Sequence, residues 1–170
     1  MKKLTKKSKV INLGCRLNFF ESEIIENILK KEKDVSKVVI NTCAVTNNAV
    51  QKSIYAVKKA LKDFPNSEVI VTGCASQVEK NRFENLGHIS KIVDNKLKTN
   101  PNSYVSEDWV HEQTFNFPSI DYLSTHRTRA MLQIQQGCNH RCTFCIIPYG
   151  RGDAVSLTFT EISKRVKKIL

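Results

Sequence analysis

The sequence predicts an α/β fold: an N-terminal open parallel sheet, followed by the first strand and helix of a second, incomplete βα unit. Three observations lead there. Short continuous apolar runs, Val10-Ile11, Val38-Val39-Ile40 and Val69-Ile70-Val71, are strand-sized and lack the alternation of a half-exposed strand. Between them lie stretches with apolar residues every three or four positions, so strands alternate with helices as in a parallel sheet. Beyond a segment rich in Pro, Ser and Asn, an alternating run at 130–134 opens a new unit ahead of a cysteine-rich loop and a basic helix.

Taken in order, Val10-Ile11-Asn12-Leu13 is the first strand. Asn18 with Glu21 three residues on reads as a capping-box variant, opening a helix whose inner face carries Phe20, Ile24, Ile28 and Leu29. Val38-Val39-Ile40 is the second strand. A second helix aligns Val50, Ile54, Val57, Leu61 and Phe64 in one stripe, and Pro65-Asn66 end it. Glu68-Val69-Ile70-Val71 is the third strand, Ser76 with Glu79 caps a short helix, and 89–93 supplies a fourth strand. In the connecting segment, Tyr104, Trp109, Phe115, Phe117 and Tyr122 are expected to pack on the first domain rather than stack on bases. In the last unit Ala130, Leu132 and Ile134 alternate with Met131, Gln133 and Gln135 as a half-buried strand with an unpaired edge. Thr158 with Glu161 caps a final helix carrying Ile162, Val166 and Ile169. The domain limits are 8–94 for the sheet domain, 95–127 for the connection and 128–170 for the last unit, which is too small to bury a core alone.

Composition narrows the class. A hydrophobic share of 41% with 25% charged residues describes a soluble globular chain, and no stretch approaches eighteen apolar residues, so no membrane span is expected. The net charge of +11 favours a polyanionic partner, nucleic acid ahead of an acidic membrane surface; a lysine-rich solvated surface is the competing reading. Six cysteines, at 15, 43, 74, 138, 142 and 145, could form three disulfides only in an oxidising compartment. The basic N-terminus lacks the apolar region of a signal peptide. A cytoplasmic location is therefore expected, where clustered cysteines serve metal ligation or catalysis.

Cys15, Cys43 and Cys74 each lie just past the C-terminal end of a predicted parallel strand, and the carboxyl edge is where ligands of such sheets bind. Three thiols meeting there would leave one position of a four-site centre open, which suits an iron–sulfur cluster or a catalytic zinc. Cys138, Cys142 and Cys145 form CxxxCxxC on a loop directly after the 130–134 run, a spacing that can hold three irons of a cubane and leave the fourth open. His140, between two of these ligands, is a poor fourth zinc ligand. Arg141 and Arg151 either tune the site or contact a ligand, or belong to a solvated face.

CxxxCxxC after a strand resembles the S-adenosylmethionine-binding signature of the radical-SAM superfamily. Asn12-Leu13-Gly14-Cys15-Arg16-Leu17-Asn18 with Glu21-Ser22-Glu23, then Asn41-Thr42-Cys43-Ala44-Val45-Thr46, then Val71-Thr72-Gly73-Cys74-Ala75-Ser76-Gln77, resemble the methylthiotransferase N-terminal domain. Gln135-Gln136-Gly137-Cys138 through Cys145-Ile146-Ile147-Pro148-Tyr149-Gly150-Arg151-Gly152 resembles the start of that family's radical-SAM βα barrel. Within the family, the first two stretches are most similar to the branch acting on threonylcarbamoyladenosine in tRNA.

The resemblance implies a 4Fe–4S cluster on Cys138, Cys142 and Cys145 whose open iron binds S-adenosyl-L-methionine, and a second 4Fe–4S cluster on Cys15, Cys43 and Cys74. It further implies addition of a methylthio group to carbon 2 of the modified adenine beside the anticodon, with tRNA as substrate and an electron donor as partner. Family members are longer, so the chain is expected to be truncated early in the barrel, with a separate chain as a possible source of the remainder. The alternatives are a non-catalytic iron–sulfur module using only Cys15, Cys43 and Cys74, or a decayed remnant of such an enzyme.

Overall fold

In the computed structural model of the chain, residues 8–31, 35–105, 115–122 and 130–170 are described. The elements run β1 (Lys9–Asn12), α1 (Arg16–Lys31), β2 (Lys37–Thr42), α2 (Asn47–Asp63), β3 (Glu68–Gly73), α3 (Cys74–Val78), α4 (Lys80–Glu84), β4 (Lys91–Ile92) and α5 (Asn102–Val105). A 3-10 turn at Ile120–Tyr122 precedes β5 (Gln135–Gln136), α6 (Ile147–Arg151), β6 (Val155–Ser156) and α7 (Phe159–Ile169).

β1 to β4 form one parallel sheet in sequence order, the α/β architecture expected from the apolar runs. All six residues of β2 are buried because the strand is covered on both faces. Its side chains alternate between two cores. Val38 and Ile40 pack with Val50, Val57, Ala60 and Phe83 on the α2 side, while Val39 packs with Phe20, Ile24, Ile28 and Leu29 of α1. The stripes expected on both helices are therefore their buried faces. Thr46 caps α2, its hydroxyl accepting the amide of Ala49 at 3.1 Å.

Two expected caps are corrected. α1 begins at Arg16, and the carbonyl of Cys15 accepts the amide of Phe19 at 2.9 Å, so Asn18 lies inside the helix. The Asn18 amide instead donates to the Thr42 carbonyl at 2.8 Å, a tertiary bond in place of a local one. Ser76 likewise lies within α3; its hydroxyl donates to the Gly73 carbonyl at 3.1 Å, and its amide donates to the Thr42 hydroxyl. The box at Thr158 and Glu161 forms as expected, with both reciprocal bonds present at the start of α7.

The half-buried strand expected at 130–134 does not form. Met131 packs against the α1 core and Gln133 is buried, whereas Ile134 is 50% exposed. Met131 and Gln133, expected on the outer side, thus turn inward, and Gln133 donates to the buried Gln136 Oε1 at 3.0 Å. Only Gln135 and Gln136 enter a ladder, antiparallel to Ser156 and Val155. Leu157 donates to the Ile134 carbonyl at 2.9 Å, so that edge is partly paired.

Of the aromatics in the connection, Tyr104 is buried in the α1 core as expected. Phe117 instead meets Phe115 edge-on at 5.0 Å and lies under the Arg165 guanidinium of α7. Trp109 and the side chain of Tyr122 lie outside the described residues. Among the described residues, no helix is long and apolar enough to cross a membrane.

Replacing Ile24, fully buried against the sheet, by Ala is expected to cost about 2–5 kcal/mol in urea denaturation. Ile134→Ala is expected to stay within about 0.5 kcal/mol of the parent; a core-sized loss there would mean that the 130–134 segment is buried after all.

Candidate metal centre

The carboxyl ends of β1, β2 and β3 bring three cysteine-bearing loops to one edge. Leu13 donates to the Asn41 carbonyl at 3.1 Å, keeping the first loop in step with β2, and Cys15 stands exposed at the positive end of α1. Thr42 and Gly73 are register partners, so the buried Cys43 and Cys74 that follow them leave adjacent strands at the same level. Gly73 makes this turn: its φ is +101°, and a Cβ there would collide with the Thr42 backbone. Cys43 donates its amide to the Ser53 hydroxyl of α2 at 3.2 Å, and the Asn95 amide nitrogen lies 3.7 Å from the Cys74 sulfur.

Cys15, Cys43 and Cys74 stand on one sheet edge at different depths. Among the described residues, no three His, Cys, Asp or Glu side chains converge closely enough to hold one metal ion. Cys43 and Cys74 are packed into the protein while Cys15 faces solvent. A zinc ion would require each thiolate about 2.3 Å from a single centre. A cubane seats each thiolate on a different iron and allows a more open spacing. An all-thiolate donor set on three neighbouring strand ends fits the cluster better than the single ion.

The second cysteine set sits on a loop tied back to its own exit. Cys138 donates to the Gly152 carbonyl at 3.1 Å, Ala154 donates to the Asn139 side chain at 2.8 Å, and Cys145 donates to the Cys142 carbonyl at 3.0 Å. Gly137, with φ +70°, would drive a Cβ into the Asp153 backbone. Cys142 is exposed and Cys138 and Cys145 are half-buried. Phe144 is 91% exposed, so this aromatic contributes nothing to the local core. His140 is exposed, and Arg141 pairs with Asp153 at 2.7 Å on the surface.

Arg151 does not lie on a solvated face. It is buried, and its guanidinium grips Glu21 with two bonds, Nη1 to Oε1 at 2.8 Å and Nη2 to Oε2 at 2.9 Å. Nη1 also donates to Gln136 at 2.9 Å and Nη2 to the Asn18 side chain. The Lys98 ammonium lies 2.5 Å from Oε2 of the same carboxylate, the oxygen that Nη2 also reaches, and 3.4 Å from Asn41 Oδ1. Asn41 in turn donates to the Asn18 carbonyl and the Ser22 hydroxyl.

Burial pushes Lys98 below its ordinary range against the pull of Glu21. Burial also opposes the charge of Arg151, but the Glu21 hydrogen bonds and charge outweigh it and hold the group above its ordinary value. Burial and the Glu21 charge raise the Tyr104 phenol, which donates to the Lys98 carbonyl at 2.6 Å. Beside this network, Asn95 Oδ1, Gln133 Oε1 and Gln136 Nε2 have no hydrogen-bond partner among the described residues. Sequence reading missed the network because Glu21 and Asn18 looked like a local cap. No local signal marked Gln133 as inward, since the alternation placed it on the outer side.

The model of a family described as "Uncharacterized protein family UPF0004" matches residues 7–94. The chain is 34% identical over 96% of its length to a Rickettsia prowazekii protein named threonylcarbamoyladenosine tRNA methylthiotransferase MtaB, covering 40% of that protein. It is 32% identical over 93% of its length to the Bacillus subtilis protein of the same name, covering 39% of it. It is 35% identical over its whole length to a Shigella flexneri protein named ribosomal protein uS12 methylthiotransferase RimO, covering 41% of it. The chain thus spans about two fifths of the length of these curated relatives.

Glu21 is the anion between two buried cations, so Glu21→Gln is expected to cost about 3–5 kcal/mol in urea denaturation. Lys98→Met, which leaves Glu21 paired with Arg151, is expected to cost less than half as much. Equal losses would show that the carboxylate is not shared.

Proposed function

Because the chain belongs to the methylthiotransferase family, we propose that Cys15, Cys43 and Cys74 hold one 4Fe–4S cluster, and that Cys138, Cys142 and Cys145 hold another, which binds S-adenosylmethionine. One observation carries the reading: the segment leaving the CxxxCxxC loop rests on the sheet edge that bears the other triplet, Gly150 packing on Cys74. Residues 8–94 are then the domain that carries the first cluster and 128–170 the opening of the barrel.

Bound there, the clusters and S-adenosylmethionine would supply the one-electron and sulfur-transfer chemistry that side chains do not. The chain's own residues hold and shield. The positive end of α1 favours negative charge at Cys15. Arg151 is held charged by Glu21 in the buried layer that adjoins the Gly150–Cys74 contact. The packing over Cys43 and Cys74 keeps water from two of the three ligands.

The proposed substrate is tRNA, with a methylthio group added to carbon 2 of threonylcarbamoyladenosine next to the anticodon. Identities of 34% and 32% to the tRNA branch and 35% to the ribosomal-protein branch do not separate the two. The choice rests on the stretches around Cys15 and Cys43, and the excess of 27 basic over 16 acidic residues suits a phosphate backbone. The activity is proposed in the company of a complementary barrel segment and an electron donor, in the cytoplasm.

After anaerobic reconstitution, about eight irons per chain are expected, falling to about four in either Cys43→Ala or Cys138→Ala. A soluble chain that stays free of iron, or takes up one zinc instead, would contradict the assignment. With a barrel segment supplied, methylthio incorporation into tRNA is expected; incorporation into ribosomal protein uS12 alone would move the chain to the other branch.

A further inference from the structure

Arg151 and Glu21 are 130 positions apart in sequence, and their ion pair joins the last unit to the first helix. An arginine that recognises a ligand keeps part of its fork free. Here each terminal nitrogen makes two bonds to protein acceptors: Nη1 to Glu21 and Gln136, Nη2 to Glu21 and Asn18. One residue earlier, Gly150 lies against Cys74, where an added Cβ would stand 3.1 Å from the Cys74 Cβ and 3.6 Å from its sulfur. The Gly150 carbonyl accepts the Asn95 amide, and the same nitrogen faces the Cys74 sulfur. The five-residue α6 is therefore bound to α1 at one residue and to the Cys74 turn at the next.

We propose that the Glu21–Arg151 pair is a latch that seats α6 on Cys74 and so sets the position of the 138–145 loop over the Cys15, Cys43 and Cys74 edge. This rests on the reading that both triplets are ligands. Arg151 is then a positioning residue: it acts through α6 on the spacing of the two sets and leaves their chemistry untouched. Its fork is essential to this, because a lysine supplies the charge without the two parallel bonds.

The test uses alkylation of the reduced, metal-free chain, read thiol by thiol by mass spectrometry. Cys43 is shielded by α2 and Cys74 by α6, so they report different events. In Arg151→Met, Cys74 is expected to react about tenfold faster, or more, through local opening while Cys43 is unchanged. Arg151→Lys is expected to fall between. An unchanged Cys74, or a parallel rise at Cys43, would overturn the latch. Should Arg151→Met fail to fold, Arg151→Lys keeps the charge but loses the two parallel bonds to Glu21. It must still raise Cys74 selectively, and absence of that rise overturns the proposal.

In the reconstituted chain, Arg151→Lys is expected to keep its iron but weaken the magnetic coupling between the two reduced clusters. Unchanged coupling with full iron would count against the latch. A parent chain that takes up no iron refutes the cluster assignment and leaves the alkylation result to decide the latch.

Discussion

A carboxylate removed from water must find positive partners, and the Glu21 side chain, at 1% exposure, has two. Lys98 approaches from the loop after β4 and Arg151 from α6, so one buried anion draws together three segments far apart in sequence. Asn18 accepts from Arg151 and Asn41 from Lys98, which makes the cluster hydrogen-bonded as well as paired. The last unit has few other anchors: β5 and β6 are a two-residue ladder and α7 has no buried residue. Besides the ion pair, it is held by the Gly150 contact with Cys74, the Asn95 bond to the Gly150 carbonyl, and the packing of Met131 and Ile146 on the two cores.

The second constraint is the parallel sheet itself. Parallel strands with helical crossovers deliver every following loop to the same edge, which is why cysteines 28 and 31 positions apart can serve one centre. Gly73 adds a local condition, since only a residue without a side chain lets β3 turn so close to β2. Burial then differs along the edge: Cys43 and Cys74 are enclosed and Cys15 is open. A cluster held there would have one accessible side, at Cys15.

The sheet was readable in the sequence because its strands are buried on both faces, and Val38-Val39-Ile40 and Val69-Ile70-Val71 carry that requirement in their side chains. The α2 stripe was readable for the same reason. Local polar signals were less informative. Asn18 with Glu21 has the spacing of a cap, yet both side chains are used across the tertiary structure, a choice that no window of a few residues reveals. The run at 130–134 misled in the same way: its period of two was real, but Gln133 turned inward to the Arg151 network and Ile134 turned out. The six cysteines could be assigned to two sets from spacing and strand ends, whereas the contact between Gly150 and Cys74 depends on packing between distant segments.

Two iron sites, one on either side of the α6 seat, would be seen together in a crystal structure of the anaerobically reconstituted chain, with diffraction recorded on both sides of the iron absorption edge. Two separate iron peaks are expected, one bounded by Cys15, Cys43 and Cys74 and one by Cys138, Cys142 and Cys145, with the Arg151–Glu21 pair intact between them. A single peak, or iron bound away from both cysteine sets, would contradict this arrangement.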